Sequence, residues 1–342
     1  MKRLLHLFRT CCRATTFRTA HQPDLERRAR IEDAVEHVVD GTEPRLRLVP
    51  RYRKKLHQVA AISLDYVNDL VEKIPGTLDV NPAAFVRDPQ VNAFFATPED
   101  LRCVFSRSPE LQAFFDDINH SDLDQGYALL CTTEHEKILL GTELAGDMLR
   151  RDAMQTAVYF SAHKVMSPAA SETDVRRGLK QCIFDALITH ALRHIANLKS
   201  QRRGLEDQRR MLLTRLRARQ AQGNGLTKLL ATAYPENAPG EDIERQLAET
   251  EKKLGKMPVS LDVLGSYLDE IKKILAEPEC FIRLRWMSFN LTGMGIKVNN
   301  GSSQTAHAVQ FAEIEIANVL KHVVAIVRYP RTEMRAPQTA LI

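Results

Sequence analysis

Two long segments with a heptad repeat of apolar residues constrain the fold of this chain more than any other feature. The first begins at Phe184 and ends at Arg219, and eight of its eleven seam positions, spaced alternately four and three residues apart, are apolar. The second begins at Ile243 and ends at Leu275, and nine of its ten seam positions are apolar. A period of 3.5 residues sustained over several heptads is typical of a coiled coil. The sequence therefore predicts two coiled-coil helices.

The two helices have the lengths and charges expected of antiparallel partners. At about 1.5 Å per residue, each is roughly 50 Å long. Residues 184–219 hold nine Lys/Arg against three Asp/Glu, whereas residues 241–277 hold nine acidic against six basic residues. The connection Gln220–Gly240 contains glycine and proline at several positions, which end helices. We predict an antiparallel coiled-coil hairpin over residues 171–277, with this connection as its tip.

Two irregularities of the seam bear on assembly. Arg202, Arg209 and Arg219 occupy seam positions of the first helix, where burial in a two-helix core would be costly. Pro258 interrupts the second helix and predicts a kink, because proline removes a backbone hydrogen bond. A further chain would seal such a seam. The sequence thus predicts self-association through the hairpin.

Length and composition exclude several classes of protein. A chain of 342 residues is long enough for two domains, and no apolar run approaches the roughly 20 residues that span a bilayer. The six cysteines show no C-x-x-C or Cys/His ligand spacing, and there is no secretory apolar segment. A reducing cytoplasm is the simplest location for such a chain. The net charge of +5 does not by itself indicate nucleic acid.

The N-terminal third reads as a basic leader followed by helices. Residues 1–22 contain no acidic residue, a composition shared by transit peptides and disordered leaders, and we predict a disordered leader. Beyond it, helical patterns begin at Pro23 and at Arg51. Thr97-Pro98 and Ser108-Pro109 are start signals for two shorter helices, with a capping hydroxyl before proline. We predict a helical domain over residues 23–125.

Strand patterns lie on both sides of the hairpin. Gln155–Met166 alternates well enough for a strand, and four strands are predicted between Phe281 and Tyr329. Because a hairpin returns to its own base, we expect residues 126–170 and 278–335 to form one antiparallel β domain, followed by a tail at 336–342. The predicted fold class is α+β, with an N-terminal helical domain and a β domain interrupted by the coiled-coil hairpin.

A short motif in the C-terminal part carries a resemblance to a known family. Asn290, Thr292 and Gly295 lie between two predicted strands in the places of D/N-x-S-x-x-G. This pattern, over about residues 278–330, resembles the core of PilZ domains. These are small β-barrels that bind the bacterial messenger cyclic di-GMP through this motif and an upstream R-x-x-x-R. The resemblance implies a barrel-like β domain and a bacterial signalling protein.

The resemblance also implies a ligand-binding site and its arginines. No R-x-x-x-R precedes the first strand, and the one with that spacing, at Arg331 and Arg335, follows the last. Guanidinium groups suit phosphates and guanine edges. Atypical family members with long heptad helices and degenerate motifs assemble as oligomers, and the chain resembles these. The predicted ligand-binding residues are Asn290, Thr292, Gly295, Arg283, Arg285, Arg331 and Arg335.

The sequence is consistent with three functions. The first is a bacterial PilZ-like regulatory protein that senses cyclic di-GMP and acts on another signalling protein. The second is a structural or adaptor protein in which the Asn290–Gly295 motif is an ordinary turn. The third is a nucleic-acid-associated coiled coil that uses the arginine-rich helix, although the acidic partner helix accounts for most of that charge. No catalytic motif predicts an enzyme, and His190 and His194 have metal-ligand spacing but no third ligand nearby.

Overall fold

The structure is a computed structural model that describes residues 23–145, 148–223, 239–255, 263–298, 305–317 and 320–335. The predicted leader, most of the hairpin tip, the kink at Pro258 and the tail lie outside the described residues. The chain divides into two compact units. The first contains Ala61–Leu187 and the residues from Glu277 onward, and the second contains Pro23–Ala60 and Ile188–Ala276. Helices and an antiparallel sheet are both present, which confirms the predicted α+β class.

Four short helices of the first unit begin in the same way. Each has proline at its start, and the preceding polar side chain accepts a hydrogen bond from a backbone N–H of the first turn. The caps at Thr97 and Ser108 confirm the two predicted starts. The helices are α3 (Pro82–Arg87), α4 (Pro89–Phe94), α5 (Pro98–Ser106) and α6 (Pro109–Asp116).

The sheet of the first unit has five long strands in the order β3-β2-β6-β5-β4, and it is not closed. All pairs along this order are antiparallel, and the short β1 pairs in parallel with the end of β6. The strand segments predicted on both sides of the hairpin therefore belong to one sheet, although the described residues after the hairpin form three strands and two isolated bridges, not the four predicted strands. Its strands are β1 (Leu78–Asp79), β2 (Gln125–Ala145), β3 (Met148–Ala169), β4 (Ile282–Leu291), β5 (His307–Ile316) and β6 (Leu320–Pro330).

Aromatic side chains of the short helices pack against one face of this sheet. Phe94 lies 5.0 Å from Phe311 and 5.1 Å from Phe160 between ring centroids, and Phe105 stacks on Tyr329 at 4.5 Å. Burial of these rings against strands explains why residues 61–125 group with the sheet. The boundary predicted at residue 125 does not coincide with the observed division.

The second unit is helical. Its helices are α1 (Pro23–Thr42), the start of α2 (Tyr52–Glu72), most of α7 (Glu172–Gly223), α8 (Pro239–Gly255) and α9 (Val263–Ala276). His194 of α7 contacts Glu270 of α9 at 3.1 Å, and Arg209 contacts Glu251 of α8 at 3.1 Å. From residue 194 to residue 209 of α7, the contacted residue moves from 270 back to 251. The helices α8 and α9 therefore run antiparallel to α7.

The heptad seam is buried at its base and less so farther out. Ile195, Leu268 and Ile271 are almost inaccessible. Beyond Ile195, Leu198, Leu205 and Leu216 of α7 are only half-buried, although Leu212 is buried. Two of the three seam arginines form ion pairs, Arg202 with Glu206 and Arg209 with Glu251.

A buried carboxylate stabilises the base of the second unit. Glu43 has only 8% of its side chain exposed and contacts Arg45 at 2.8 Å as well as Lys199 of α7. Hydrogen bonding from Arg45, supplemented by Lys199 and opposed by burial, lowers the pKa of Glu43 to about 2. The pair to Lys199 ties the segment after α1 to α7.

Candidate functional site

The predicted PilZ-like motif forms a tight turn after β4. The backbone N–H of Thr292 donates to the carbonyl of Ile296 (2.9 Å), and that of Val298 donates to the carbonyl of Asn290 (2.9 Å). The Thr292 hydroxyl accepts hydrogen bonds from the backbone N–H groups of Met294 and Ile296, each at 3.3 Å. The hydroxyl that the family motif would offer to a ligand therefore caps the turn itself.

Gly295 faces a strand of its own unit. Its φ is +73°, and a Cβ atom there would lie 2.7 Å from the carbonyl oxygen of Val158 on β3. The N–H of Val158 donates to the Gly295 carbonyl at 2.8 Å, and the N–H of Lys297 donates to the carbonyl of Thr156 at 2.8 Å. Glycine is required here because the backbone is left-handed and β3 approaches closely. No ligand is needed to explain it.

The two arginines on β4 lie far from the turn and have partners. Arg283 and Arg285 precede Asn290 by seven and five residues on the same strand. At about 3.3 Å per residue, these separations are roughly 23 and 17 Å. Arg283 donates to the carbonyl of Glu279 (2.9 Å), and Arg285 lies 2.8 Å from the buried carboxylate of Glu315. Asn290 itself is exposed.

The other predicted arginine pair belongs to the packing of the short helices. Arg331 donates to the carbonyls of Ser121 (2.7 Å) and Phe115 (3.1 Å), and its guanidinium lies 5.7 Å from the Phe115 ring centroid. Arg335 forms a two-bond ion pair with Glu99 of α5, one bond measuring 2.9 Å. Both guanidinium groups thus anchor the segment after β6 to α5 and α6.

The structure therefore separates the seven predicted residues into three places. Asn290, Thr292 and Gly295 form the turn, the β4 arginines lie toward the other end of their strand, and Arg331 and Arg335 follow β6. Sequence reasoning missed the acidic partners. The alternation of Glu313 and Glu315 with apolar residues on β5 was a usable signal, because β5 pairs with β4 opposite the two arginines.

The residues considered for a metal site or for nucleic acid binding also contact other residues of the fold. His194 contacts Glu270, and burial lowers the pKa of His190. Within the described parts of the chain, no group of three or more His, Cys, Asp or Glu side chains is placed to hold a metal ion. On the arginine-rich part of α7, Arg210 pairs with Asp207 at 3.3 Å, in addition to the seam pairs. This reduces the free positive charge available to nucleic acid phosphates.

Comparison of the chain with protein-family models, curated proteins and solved structures finds no match. None of the helices that the structure describes combines the length and apolar composition needed to cross a bilayer. Function is therefore inferred from the residues and their geometry alone.

Proposed function

We propose that this chain is a bacterial cytoplasmic scaffold or adaptor protein with a PilZ-like β domain, which assembles through its helical hairpin and binds no cyclic di-GMP at the Asn290–Gly295 turn. One observation carries the proposal: the groups that would hold the nucleotide make their contacts inside the fold. The Thr292 hydroxyl caps its own turn, and Arg331 and Arg335 bind carbonyls and a carboxylate. Freeing them would cost those contacts before any ligand contact is gained.

The PilZ-like assignment is supported by how the turn meets the sheet. β3 and β4 are the terminal strands of the ladder. The segment after the turn forms isolated bridges to both strands: Lys297 pairs with Leu291 of β4, and Ile296 pairs with Ala157 of β3. A segment that bridges both terminal strands supports a barrel-like arrangement, although strand pairing does not close the sheet. In this proposal, Gly295 allows the turn to approach β3 closely enough to form the bridge.

Assembly is supported by the outer half of the hairpin. Leu198, Leu205 and Leu216 remain half-buried, and Arg209 keeps 49% of its side chain exposed. A two-stranded coiled coil is sealed by apolar knobs along its whole seam, and this seam is incomplete. A second hairpin would cover the half-buried leucines and place the acidic α8 against the basic α7.

Calorimetric titration with cyclic di-GMP tests the nucleotide part of the proposal. We expect the wild-type chain to show no saturable heat with tens of micromolar ligand. Asn290→Ala is the informative variant, because Asn290 is the one exposed motif residue, and Gln310→Ala on the neighbouring β5 is its matched control. Saturable wild-type binding that Asn290→Ala abolishes and Gln310→Ala preserves would contradict the proposal and restore the sensor function.

A further inference from the structure

The first unit contains a cavity of about 920 Å³ beside the edge strand β3. We propose that this cavity binds a single-chain amphiphile with an anionic head, of the fatty-acid class. The volume lies in the range of small-molecule sites, which are typically 300–1,000 Å³. All the lining residues belong to the first unit, and none belongs to the PilZ-like turn.

The walls of the cavity suit a hydrocarbon chain. One wall comes from the sheet and the other from the first turns of α7. Burial of apolar surface contributes about 0.8 kcal/mol per methylene, so such walls favour a long chain over a compact polar molecule. The wall residues are Ile314, Ile316, Leu320, Val324, Leu179 and Ile183.

The polar groups deep in the cavity are uncharged at neutral pH. Burial raises the pKa of the Cys131 thiol to about 12, so it stays protonated. Burial lowers the pKa of His322, and its imidazole is neutral. Burial therefore disfavours a charge on these two side chains of the lining.

The charged side chains lie at the rim, and the two acidic ones accept hydrogen bonds from neighbouring groups. Glu110 accepts a hydrogen bond from the backbone N–H of Ser167 (3.3 Å), and Asp100 accepts one from the Thr97 hydroxyl (2.8 Å). Lys164 and Arg107 are exposed. Neither forms an ion pair or a side-chain hydrogen bond with any residue that the structure describes.

The two cations flank the same opening. Ser108, next to Arg107, donates to the carbonyl of Val165, next to Lys164, at 3.5 Å. The same rim carries both carboxylates, but Arg107 and Lys164 have no ion-pair partner among the described residues. An apolar cavity with two such cations is complementary to a chain that ends in a carboxylate or phosphate. Free fatty acid and the acyl chain of a membrane phospholipid share this chemistry, and a volume of about 920 Å³ favours the free acid, because it is the size of a site for one small molecule.

The test is calorimetric titration of the full-length chain with laurate, octanoate and dodecanol. We expect one laurate per chain and about tenfold weaker binding for each pair of methylenes removed. Lys164→Gln and Arg107→Gln should each weaken laurate about threefold to tenfold and leave dodecanol unchanged. Lys137→Gln, an exposed lysine of β2 outside the cavity, is the matched control and should have no effect.

A cavity-filling variant supplies an independent test. Cys182→Phe adds bulk to the α7 wall and should abolish laurate uptake, with thermal melting to establish that the variant is folded. If it does not fold, the chain-length series and the two charge variants decide. The proposal is overturned by absence of saturable laurate binding, by equal affinity for laurate and dodecanol, or by binding that all three variants leave intact. Binding to phosphatidylglycerol vesicles without uptake of free laurate would also overturn it and indicate a membrane-surface role.

Discussion

The Asn290–Gly295 turn and the outer half of the helical hairpin differ in which groups the fold leaves available for binding. At the turn, the Thr292 hydroxyl and the Gly295 backbone are engaged with neighbouring backbone groups. Along the outer hairpin, Leu205 and Leu216 remain half-buried and Arg209 is half-exposed. Binding capacity depends on groups that the fold leaves available, and a matching motif does not by itself provide them. On this difference rests our proposal of a structural role for the turn and an assembly role for the hairpin.

The base of the hairpin is well packed, and the outer half is compared with it. The largest loss of stability is expected from a substitution of Glu43 there. Replacing Glu43 by Gln should destabilise the second unit by about 3 kcal/mol. A pKa lowered from 4.5 to about 2 means that the fold stabilises the ionised carboxylate over the protonated one by about that much. Urea unfolding followed by circular dichroism measures the loss. Glu32→Gln, at an exposed position of the preceding helix α1, is the control and should change stability by less than about 0.5 kcal/mol.

The same carboxylate predicts a pH dependence with a definite sign. Because the folded-state pKa of Glu43 is depressed, its contribution is fully present above about pH 4.5 and is lost as pH falls toward about 2. The stability difference between wild type and Glu43→Gln should therefore shrink across this window. A difference that stayed constant from pH 6 to pH 2.5 would refute the assigned ion pairs with Arg45 and Lys199.

A structural role for the turn predicts an intermediate effect. Gly295→Ala should destabilise the first unit by about 1–3 kcal/mol, because alanine is strained at φ +73° and its Cβ would meet the Val158 carbonyl at 2.7 Å. Gly293→Ala in the same turn is a close control, since a Cβ there meets nothing within 4 Å. Thermal melting of both variants measures the difference. Equal melting temperatures would show that the close approach of β3 does not require glycine at position 295.

The outer hairpin should show the smallest effect on stability and the clearest effect on assembly. Leu205→Glu with Leu216→Glu adds charge to half-buried seam positions, and we expect it to cost about 1 kcal/mol or less per site while dissociating the oligomer. Gln208→Glu adds the same charge to an exposed position off the seam and should leave the molecular mass unchanged. An oligomer that survives the double substitution would place the interface elsewhere.

Local signals in the sequence predicted most of the elements. The caps at Thr97 and Ser108 act within three residues. The apolar positions of the long helices follow from a heptad repeat, which can be recognised in each helix separately. The strand segments around the hairpin were likewise recognised from alternation. Each of these features depends on contacts between residues close in the chain or on a periodic pattern.

The partners of the candidate site residues could not be predicted in the same way. Arg335 pairs with Glu99, which precedes it by 236 positions, and Arg331 reaches Phe115 from 216 positions away. The cavity likewise combines residues of β3, β5, β6 and α7. Such contacts depend on strand order and register, which short motifs do not encode. The resemblance at Asn290–Gly295 therefore suggested a ligand-binding site, but a short motif could not say whether arginines would converge on it.

The most direct test of the account is the molecular mass of the full-length chain by sedimentation equilibrium, with and without cyclic di-GMP. We predict an oligomer at micromolar concentration whose mass is the same in both conditions, because assembly depends on the hairpin and the turn holds no nucleotide. A monomer in both conditions would contradict the assembly role of the hairpin. A mass that changed on addition of the nucleotide would contradict the structural role of the turn.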